Sequence, residues 1–241
     1  MARRLIAAVV LVGVLAAPAA ARERAPKLTI FAAASLTEAF QAFDPSETYS
    51  FAGSNTLAAQ IKQGARADVF ASASPQYTQD LFRAGLVERP VTFATNRLVL
   101  IVPKSNPAGL TSVYDLARKN LKLVVAAPAV PVGSYTRTVL RKLGLSSVLT
   151  KVVSQESDVK GVVGKVALGQ ADAGFVYVTD VKPVSGDVTS IRIPAWAQPR
   201  VRYEIAVVSS SSQKAAARAW VARVRAKAGQ VALARAGFGK P

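Results

Sequence analysis

The chain has 241 residues, with 31 lysines and arginines against 14 aspartates and glutamates, and its formal net charge is +17. It contains no histidine and no cysteine. The usual zinc and copper ligands, the thiolate nucleophile and the commonest general base are therefore missing, which excludes a Ser-His-Asp hydrolase and a zinc enzyme. The basic residues are scattered singly, so the charge favours the collection of small anions over the binding of nucleic acid.

The amino terminus predicts a Sec-type signal peptide over residues 1–21. Arg3 and Arg4 precede an unbroken apolar run at 5–17, which Pro18 and three alanines close. The run is shorter than the roughly 20 apolar residues that a membrane-spanning helix needs. We therefore expect cleavage after the last of these alanines and a periplasmic or extracytoplasmic mature protein.

After a linker at 22–27, strand-like apolar runs alternate with amphipathic, helix-like runs. This alternation is typical of an α/β fold with largely parallel sheets. The predicted strands are 28–33, 49–52, 67–71, 98–102, 121–126, 173–178, 188–193 and 201–208. The predicted helices are 36–43, 57–63, 77–84, 112–119, 134–143, 158–168 and a helical end at 213–236.

Two strand-like stretches, 96–104 and 202–208, are the places where we expect the chain to cross between two lobes. Each leads into a proline or serine break. The prediction is a discontinuous lobe one at 22–97 plus 200–241, and a lobe two at 98–199.

Small and polar residues stand where the predicted strands meet helices, which is where α/β sheets usually bind ligands. Ser35 is expected at the N-cap of one helix, and Ser54 follows Gly53 at the start of the next. A helix start presents unpaired N–H groups and the positive end of the helix dipole, which suits an anion. Each serine is also explained as a simple helix cap.

The second half of the chain offers further hydrogen-bond donors. Helix starts are predicted within 131–135 and 157–161, where backbone amides are free. Tyr177 ends a predicted buried strand, and its phenol can donate one more hydrogen bond. Taken alone, Tyr177 is better explained as a core aromatic residue whose hydroxyl has a partner.

Several of these segments resemble one family. They are FAAASL at 31–36, SFAGSNTLAAQIKQGARADVFASAS at 50–74, GFVYVTD at 174–180, and the stretches 96–104, 130–135, 158–161 and 203–208. Together they resemble the periplasmic molybdate-binding proteins of ABC transporters over nearly the whole mature chain. The resemblance implies a type II periplasmic-binding fold with the ligand in the cleft between the lobes. It further implies a monomer that binds molybdate or tungstate without a cofactor or a directly coordinated metal, and that delivers it to an ABC permease and ATPase.

The same resemblance implies a set of ligand groups. They are the hydroxyls and amides of Ser35 and Ser54, the amides of Val132 and Val159, and the hydroxyl of Tyr177. Two positions depart from the family pattern, since Val132 replaces a frequent alanine and Gly53 replaces a frequent serine. The Val132 contact is a backbone N–H, so its role survives, but the isopropyl group can alter the size of the cavity.

Other functions stay open from the sequence. A binding protein for another tetrahedral oxyanion, such as sulfate, would use the same donors. Ser157 and Lys160 match the S-x-x-K pattern of serine acyl-enzymes, although neither S-D-N nor K-T-G accompanies them. The glycines and lysine at 161–165 have two intervening residues where a phosphate-binding loop has four. The basic helix around Trp220 is either a membrane-surface helix or, as we expect, an amphipathic helix docked on lobe one.

Overall fold

The computed structural model describes residues 27–117 and 121–241, so the predicted signal peptide lies outside the described residues. Within those ranges, the strands form two five-stranded sheets. The first sheet contains β1 (Thr29–Ala33), β2 (Thr48–Ala52), β3 (Val69–Ser72), β4 (Val91–Asn96) and β10 (Val201–Val207). The second contains β5 (Leu98–Pro103), β6 (Leu123–Ala126), β7 (Val152–Glu156), β8 (Ala173–Tyr177) and β9 (Val188–Arg192).

The helices lie between these strands and at the carboxyl end of the chain. They are α1 (Thr37–Phe43), α2 (Ser54–Lys62), α3 (Pro75–Arg83), α4 (Pro131–Lys142), α5 (Val159–Ala167), α6 (Val178–Val181), α7 (Lys214–Arg225) and α8 (Lys227–Ala236). None of the described helices is long and apolar enough to cross a membrane. The predicted α/β class and the two-lobed arrangement are confirmed.

Both sheets are mixed, whereas the sequence predicted largely parallel ones. The first has the order β2-β1-β3-β10-β4, and β10 runs antiparallel to both of its neighbours. The second has the order β7-β6-β8-β5-β9, and β5 is antiparallel to both neighbours. β5 and β10 are the strands by which the chain enters a sheet after leaving the other one. An antiparallel strand can do this without the helical crossover that a parallel pair requires.

The chain changes sheets at two places of unequal length. β4 ends at Asn96 and β5 begins at Leu98, so Arg97 alone joins the sheets there. The return runs from Arg192 to Val201. β10, over which the second crossing was predicted, lies wholly in the first sheet because the chain has already crossed before it. The predicted lobe limits themselves stay a prediction.

Some local predictions were wrong. β4 and β7 were not predicted. The helix predicted at 112–119 is a short 3-10 turn at Val113–Ala117, with 118–120 outside the described residues. The predicted helical end is two helices, because Ala226 has an extended backbone with φ −76° and ψ 173°.

The carboxyl-terminal helices pack on the first lobe, as predicted. Trp220 is fully buried, and its ring meets that of Phe40 edge-on with 5.2 Å between centroids. The indole N–H of Trp220 donates to Asp44 Oδ2 at 3.2 Å, which satisfies its one polar group. The apolar stripe of α7 therefore belongs to the core, and the membrane-surface interpretation is not needed to explain it.

Candidate functional site

Ser35 lies at the end of the first strand, in a 3-10 turn at Ala34–Leu36 that precedes α1. The prediction that it caps α1 was wrong, since the N-cap is Leu36 and no side chain caps the helix. The Ser35 hydroxyl is instead 2.7 Å from the phenol oxygen of Tyr203 on β10. Ser35 is 3% exposed, so its remaining hydrogen-bonding capacity faces a buried space.

Ser54 is the first residue of α2, where the sequence placed it, and Gly53 is the N-cap. Its hydroxyl oxygen accepts a hydrogen bond from the backbone N–H of Ala73 at 3.0 Å, and no side chain caps α2. The interpretation of Ser54 as a helix cap is therefore wrong. A hydroxyl that accepts through its oxygen still has its own hydrogen to donate.

Val132 and Val159 belong to the first turns of α4 and α5. Pro131 is the first residue of α4 and has no N–H, so Val132 presents the first amide of that helix. Val159 opens α5 directly after Asp158, whose carboxylate accepts from the Gly161 N–H at 3.1 Å. Amides in a first helical turn have no intrahelical acceptor, and the helix dipole makes this end positive.

Tyr177 is the last residue of β8 and is 1% exposed. Its backbone N–H donates to Asp180 Oδ2 at 3.1 Å, but its phenol oxygen has no hydrogen-bond partner among the described residues. Burial raises the pKa of Tyr177 well above its ordinary value, which keeps the hydroxyl protonated. A buried hydroxyl without a partner is costly, so this group points to a ligand.

All five predicted residues line one cavity between the two sheets. Its walls are Ala33, Ala34, Ser35, Ala52, Gly53, Ser54, Ala73, Val130, Pro131, Val132, Asp158, Val159 and Tyr177. The cavity and its mouth contain about 210 Å³ of space free of atoms. Only about 10 Å³ of it can hold the centre of a water-sized sphere, which is about the room for one small particle, so the cavity suits a small ion better than a sugar or peptide.

Contacts across the cleft show that the lobes are closed around this cavity. Tyr77 on α3 donates to the Ala129 carbonyl of the second lobe. Tyr135 on α4 lies with its hydroxyl 3.4 Å from the carbonyl of Ala73 in the first lobe. Gly53 is required at the closest approach, because a Cβ there would lie 2.5 Å from the Ser157 carbonyl oxygen.

An ion pair also bridges the lobes beside the cavity, and no pattern in the sequence indicates it. Lys160 Nζ lies 2.8 Å and 3.0 Å from the two carboxylate oxygens of Glu38 on α1, and 3.3 Å from Asp180 Oδ1. Asp180 is 1% exposed, and burial raises its pKa to about 6 even though Lys160 lowers it. Lys160 therefore fixes the start of α5 against the first lobe.

The arrangement does not support the acyl-enzyme alternative. Burial lowers the pKa of Lys160, but the charges of Asp180 and Glu38 outweigh this and raise it above its ordinary value. A lysine that serves as a general base must instead lose its proton near neutral pH. Ser157 itself is exposed. At 161–165, the glycines and lysine lie within the helix α5 and form no loop.

Two residues that form hydrogen bonds behind the cavity were not predicted from the sequence. Tyr203 contacts Ser35 but lies 168 residues further along the chain, so no local pattern links them. Asn96 lies at the first crossover and donates to Thr179 Oγ1 at 3.0 Å and toward Tyr203 Oη at 3.4 Å.

The fold and this cavity define a solute-binding protein, and the chain belongs to the family of bacterial extracellular solute-binding proteins, which matches residues 28–239. It is 42% identical over 234 residues to the molybdate-binding protein ModA of Mycobacterium tuberculosis, covering 93% of this chain and 88% of that one. The periplasmic molybdate-binding protein of Azotobacter vinelandii has the same fold, with a TM-score of 0.79, 23% identity and coverage of 89% of this chain and all of the other. The predicted periplasmic-binding-protein fold is thereby confirmed.

The fold alone does not select the ligand. The sulfate-binding protein SubI of Mycobacterium tuberculosis has a TM-score of 0.75 to this chain at 16% identity, with coverage of 88% and 86%. The choice between oxyanions therefore has to come from the residues of the cavity.

Proposed function

We propose that this chain captures molybdate in the cavity between its lobes and delivers it to the permease and ATPase of an ABC importer. One observation carries the proposal: three buried hydroxyls and two helix-start amides, contributed by both lobes, surround one small cavity. The similarity to ModA over most of both chains supports molybdate as the ligand.

The chemistry of the wall fits a tetrahedral dianion. The proposed set offers seven donors. They are the hydroxyl and the amide of each serine, the amides of Val132 and Val159, and the phenol of Tyr177. None of the described residues that line the cavity is a lysine or an arginine. Hydrogen bonds to a charged acceptor are roughly twice as strong as neutral ones, and the helix dipoles spread compensating positive charge over the site. Molybdate has only acceptors, so every donor can find a partner on it.

Tungstate and sulfate are the alternatives. Tungstate has the charge and shape of molybdate, and we expect the site to bind it as well. Sulfate presents the same acceptors on a smaller ion, and the common fold with SubI makes it the second candidate. Val132 and Gly53, the two departures from the family pattern, both line the cavity, and we propose that they adjust its size.

The proposal includes the compartment and the cycle of binding. The chain is exported by the signal peptide at 1–21, acts as a monomer without catalytic activity, and closes by rotation about the two crossings. The donor set supports closure on the ligand, because Ser35 and Ser54 belong to the first lobe and Val132, Val159 and Tyr177 to the second.

Calorimetric titration of the chain from residue 22 onward with molybdate, tungstate, sulfate and phosphate tests the ligand. We expect molybdate to bind at least about tenfold more tightly than sulfate or phosphate. If sulfate binds more tightly than molybdate, the proposed ligand is wrong and sulfate takes its place. Small-angle scattering should show compaction on addition of the ligand, and an unchanged radius would contradict the closure.

A further inference from the structure

A chain of buried hydrogen bonds connects the first crossover to the cavity. Asn96 Nδ2 lies 3.4 Å from Tyr203 Oη, and Tyr203 Oη lies 2.7 Å from Ser35 Oγ. Asn96 is 7% exposed, Tyr203 is fully buried and Ser35 is 3% exposed. Buried polar hydrogens are nearly always paired, so the direction of each bond in this chain matters.

The direction of the first bond follows from the surroundings of Asn96. Its Oδ1 accepts the backbone N–H of Arg97 at 2.9 Å, which turns the amide nitrogen toward Thr179 and Tyr203. An amide nitrogen only donates, so the Tyr203 oxygen accepts from it. With the single proton of Tyr203 in its bond to Ser35 Oγ, the proton of Ser35 is left for the cavity.

The other two hydroxyls of the cavity have the same polarity. Ser54 accepts from the Ala73 N–H and has its own proton free, and the Tyr177 hydroxyl has no partner among the described residues. All three hydroxyls can therefore donate a hydrogen bond to the ligand. A fully deprotonated oxyanion accepts from all of them at once, whereas the proton of hydrogenphosphate occupies one of the oxygens that would otherwise accept.

We propose that Tyr203, held by Asn96, is a positioning residue that fixes the Ser35 hydroxyl as a donor and so determines selectivity for fully deprotonated oxyanions. This inference rests on the proposed function and deepens it, because it assigns the selectivity of the site to two residues that do not touch the ligand. Tyr203 acts through Ser35, and Asn96 acts through Tyr203.

Tyr203→Phe tests the role of the phenol. The ring stays in its edge-on contacts with Phe93 and Phe238, at 6.2 Å and 5.2 Å between centroids, while the hydroxyl is lost. We expect molybdate to bind about three- to tenfold more weakly, the effect of one neutral hydrogen bond. The ratio of molybdate to phosphate affinity, measured by competition at weakly basic pH, should also fall, because the freed Ser35 oxygen can accept the proton of hydrogenphosphate.

Tyr49→Phe is the matched control. Its hydroxyl also donates to backbone carbonyls in the first lobe, those of Phe40 at 3.2 Å and Asp44 at 2.7 Å, but it does not line the cavity. It should leave both the affinity and the ratio unchanged. If Tyr203 has a purely structural role, Tyr203→Phe should weaken the binding of molybdate and of phosphate equally and leave the ratio of the two affinities intact. That result would overturn the inference.

Asn96→Asp reverses the chain of bonds without changing its shape. A carboxylate only accepts, so the Tyr203 proton turns toward it and the Ser35 proton turns toward Tyr203, away from the ligand. We expect a larger loss of molybdate affinity than in Tyr203→Phe. In the Tyr203→Phe background the same substitution should cost nothing further, because its path to Ser35 is gone.

The outcomes separate the two levels of the proposal. Asn96→Asp could lower molybdate affinity equally in the parent and in Tyr203→Phe. That result would mean that the new carboxylate repels the anion directly, and it would overturn the positioning role. If the parent binds molybdate and Tyr203→Phe keeps its affinity and selectivity, this inference fails while the proposed function stands. A parent that binds none of the oxyanions overturns both.

Discussion

Replacement of Ser54 by alanine distinguishes a ligand contact from a structural one. The side chain is 1% exposed, and its oxygen accepts the Ala73 N–H at 3.0 Å while its proton faces the cavity. The substitution removes one donor from a buried anion but leaves Gly53 and the start of α2 in place. Two effects follow, one on binding and one on stability.

The two effects have different sizes and different readouts. A hydrogen bond to a charged group is worth about 1.5 to 3 kcal/mol, so molybdate affinity should fall roughly tenfold to more than a hundredfold. The buried Ala73 N–H loses its acceptor, which costs about 1 to 3 kcal/mol of folding free energy. For a chain of this size, each kcal/mol lowers the melting temperature by about 2 to 4 °C.

Calorimetry with molybdate and thermal melting of the ligand-free protein measure the two effects separately. Ser211→Ala is the matched control, because the Ser211 hydroxyl accepts the Gln213 N–H at 3.0 Å and donates to Asp68, and neither Ser211 nor Asp68 lines the cavity. It should melt earlier and bind normally. If Ser54→Ala behaves like Ser211→Ala, with a lower melting temperature and parental affinity, Ser54 is not a ligand and the assignment of the site is wrong.

Three more substitutions probe the closed state and its charges. Lys160→Met removes the bridge to Glu38 and should weaken molybdate binding several-fold by calorimetry, because the closed state loses a contact between the lobes. Gly53→Ala should also weaken binding, since its Cβ would lie 2.5 Å from the Ser157 carbonyl oxygen in the closed lobes, and scattering should show less compaction. In urea unfolding, the free energy of unfolding of Asp180→Asn relative to that of the parent should be higher at pH 7 than at pH 4. Its pKa is raised from 3.8 to about 6 on folding, so the parent loses stability as the pH rises through that window.

Each of these predictions has its own contrary result. Lys165→Met breaks an ion pair with Glu156 that lies within the second lobe, at 2.9 Å, and should not change the affinity. If it weakens binding as much as Lys160→Met does, the bridge between the lobes has no special role. Parental affinity in Gly53→Ala would mean that the cleft accommodates a side chain there. A stability difference for Asp180→Asn that is constant with pH would contradict the raised pKa.

The sequence predicted the order of most strands and helices because their hydrophobic patterns are local. It also named five residues, Ser35, Ser54, Val132, Val159 and Tyr177, that the fold brings to one cavity. The N-cap interpretation of the serines failed for a physical reason. A hydroxyl has only local partners in a sequence-based argument, whereas Ser35 and Ser54 pair with Tyr203 and Ala73 in three dimensions.

Other features were beyond prediction because they depend on how the lobes meet. The bridge from Lys160 to Glu38 joins residues 122 positions apart, and nothing in either local sequence pairs them. β7 was missed because its five residues alternate between half-buried and exposed positions and contain a serine and a glutamine. The antiparallel direction of β5 and β10 likewise follows from the crossings and could not be deduced from the composition of either strand.

The unequal crossings have a practical consequence for engineering. Arg97 is a joint of one residue, so an added residue there would change the relative orientation of the sheets and separate the donors of the two lobes. The return from Arg192 to Val201 has a short turn at Ala195–Ala197, where Trp196 is 62% exposed. Exposed loop positions of this kind tolerate inserted domains. If the lobes close as proposed, a fluorescent reporter inserted between Ala195 and Trp196 would sit on a connection that moves and would convert anion capture into an optical signal.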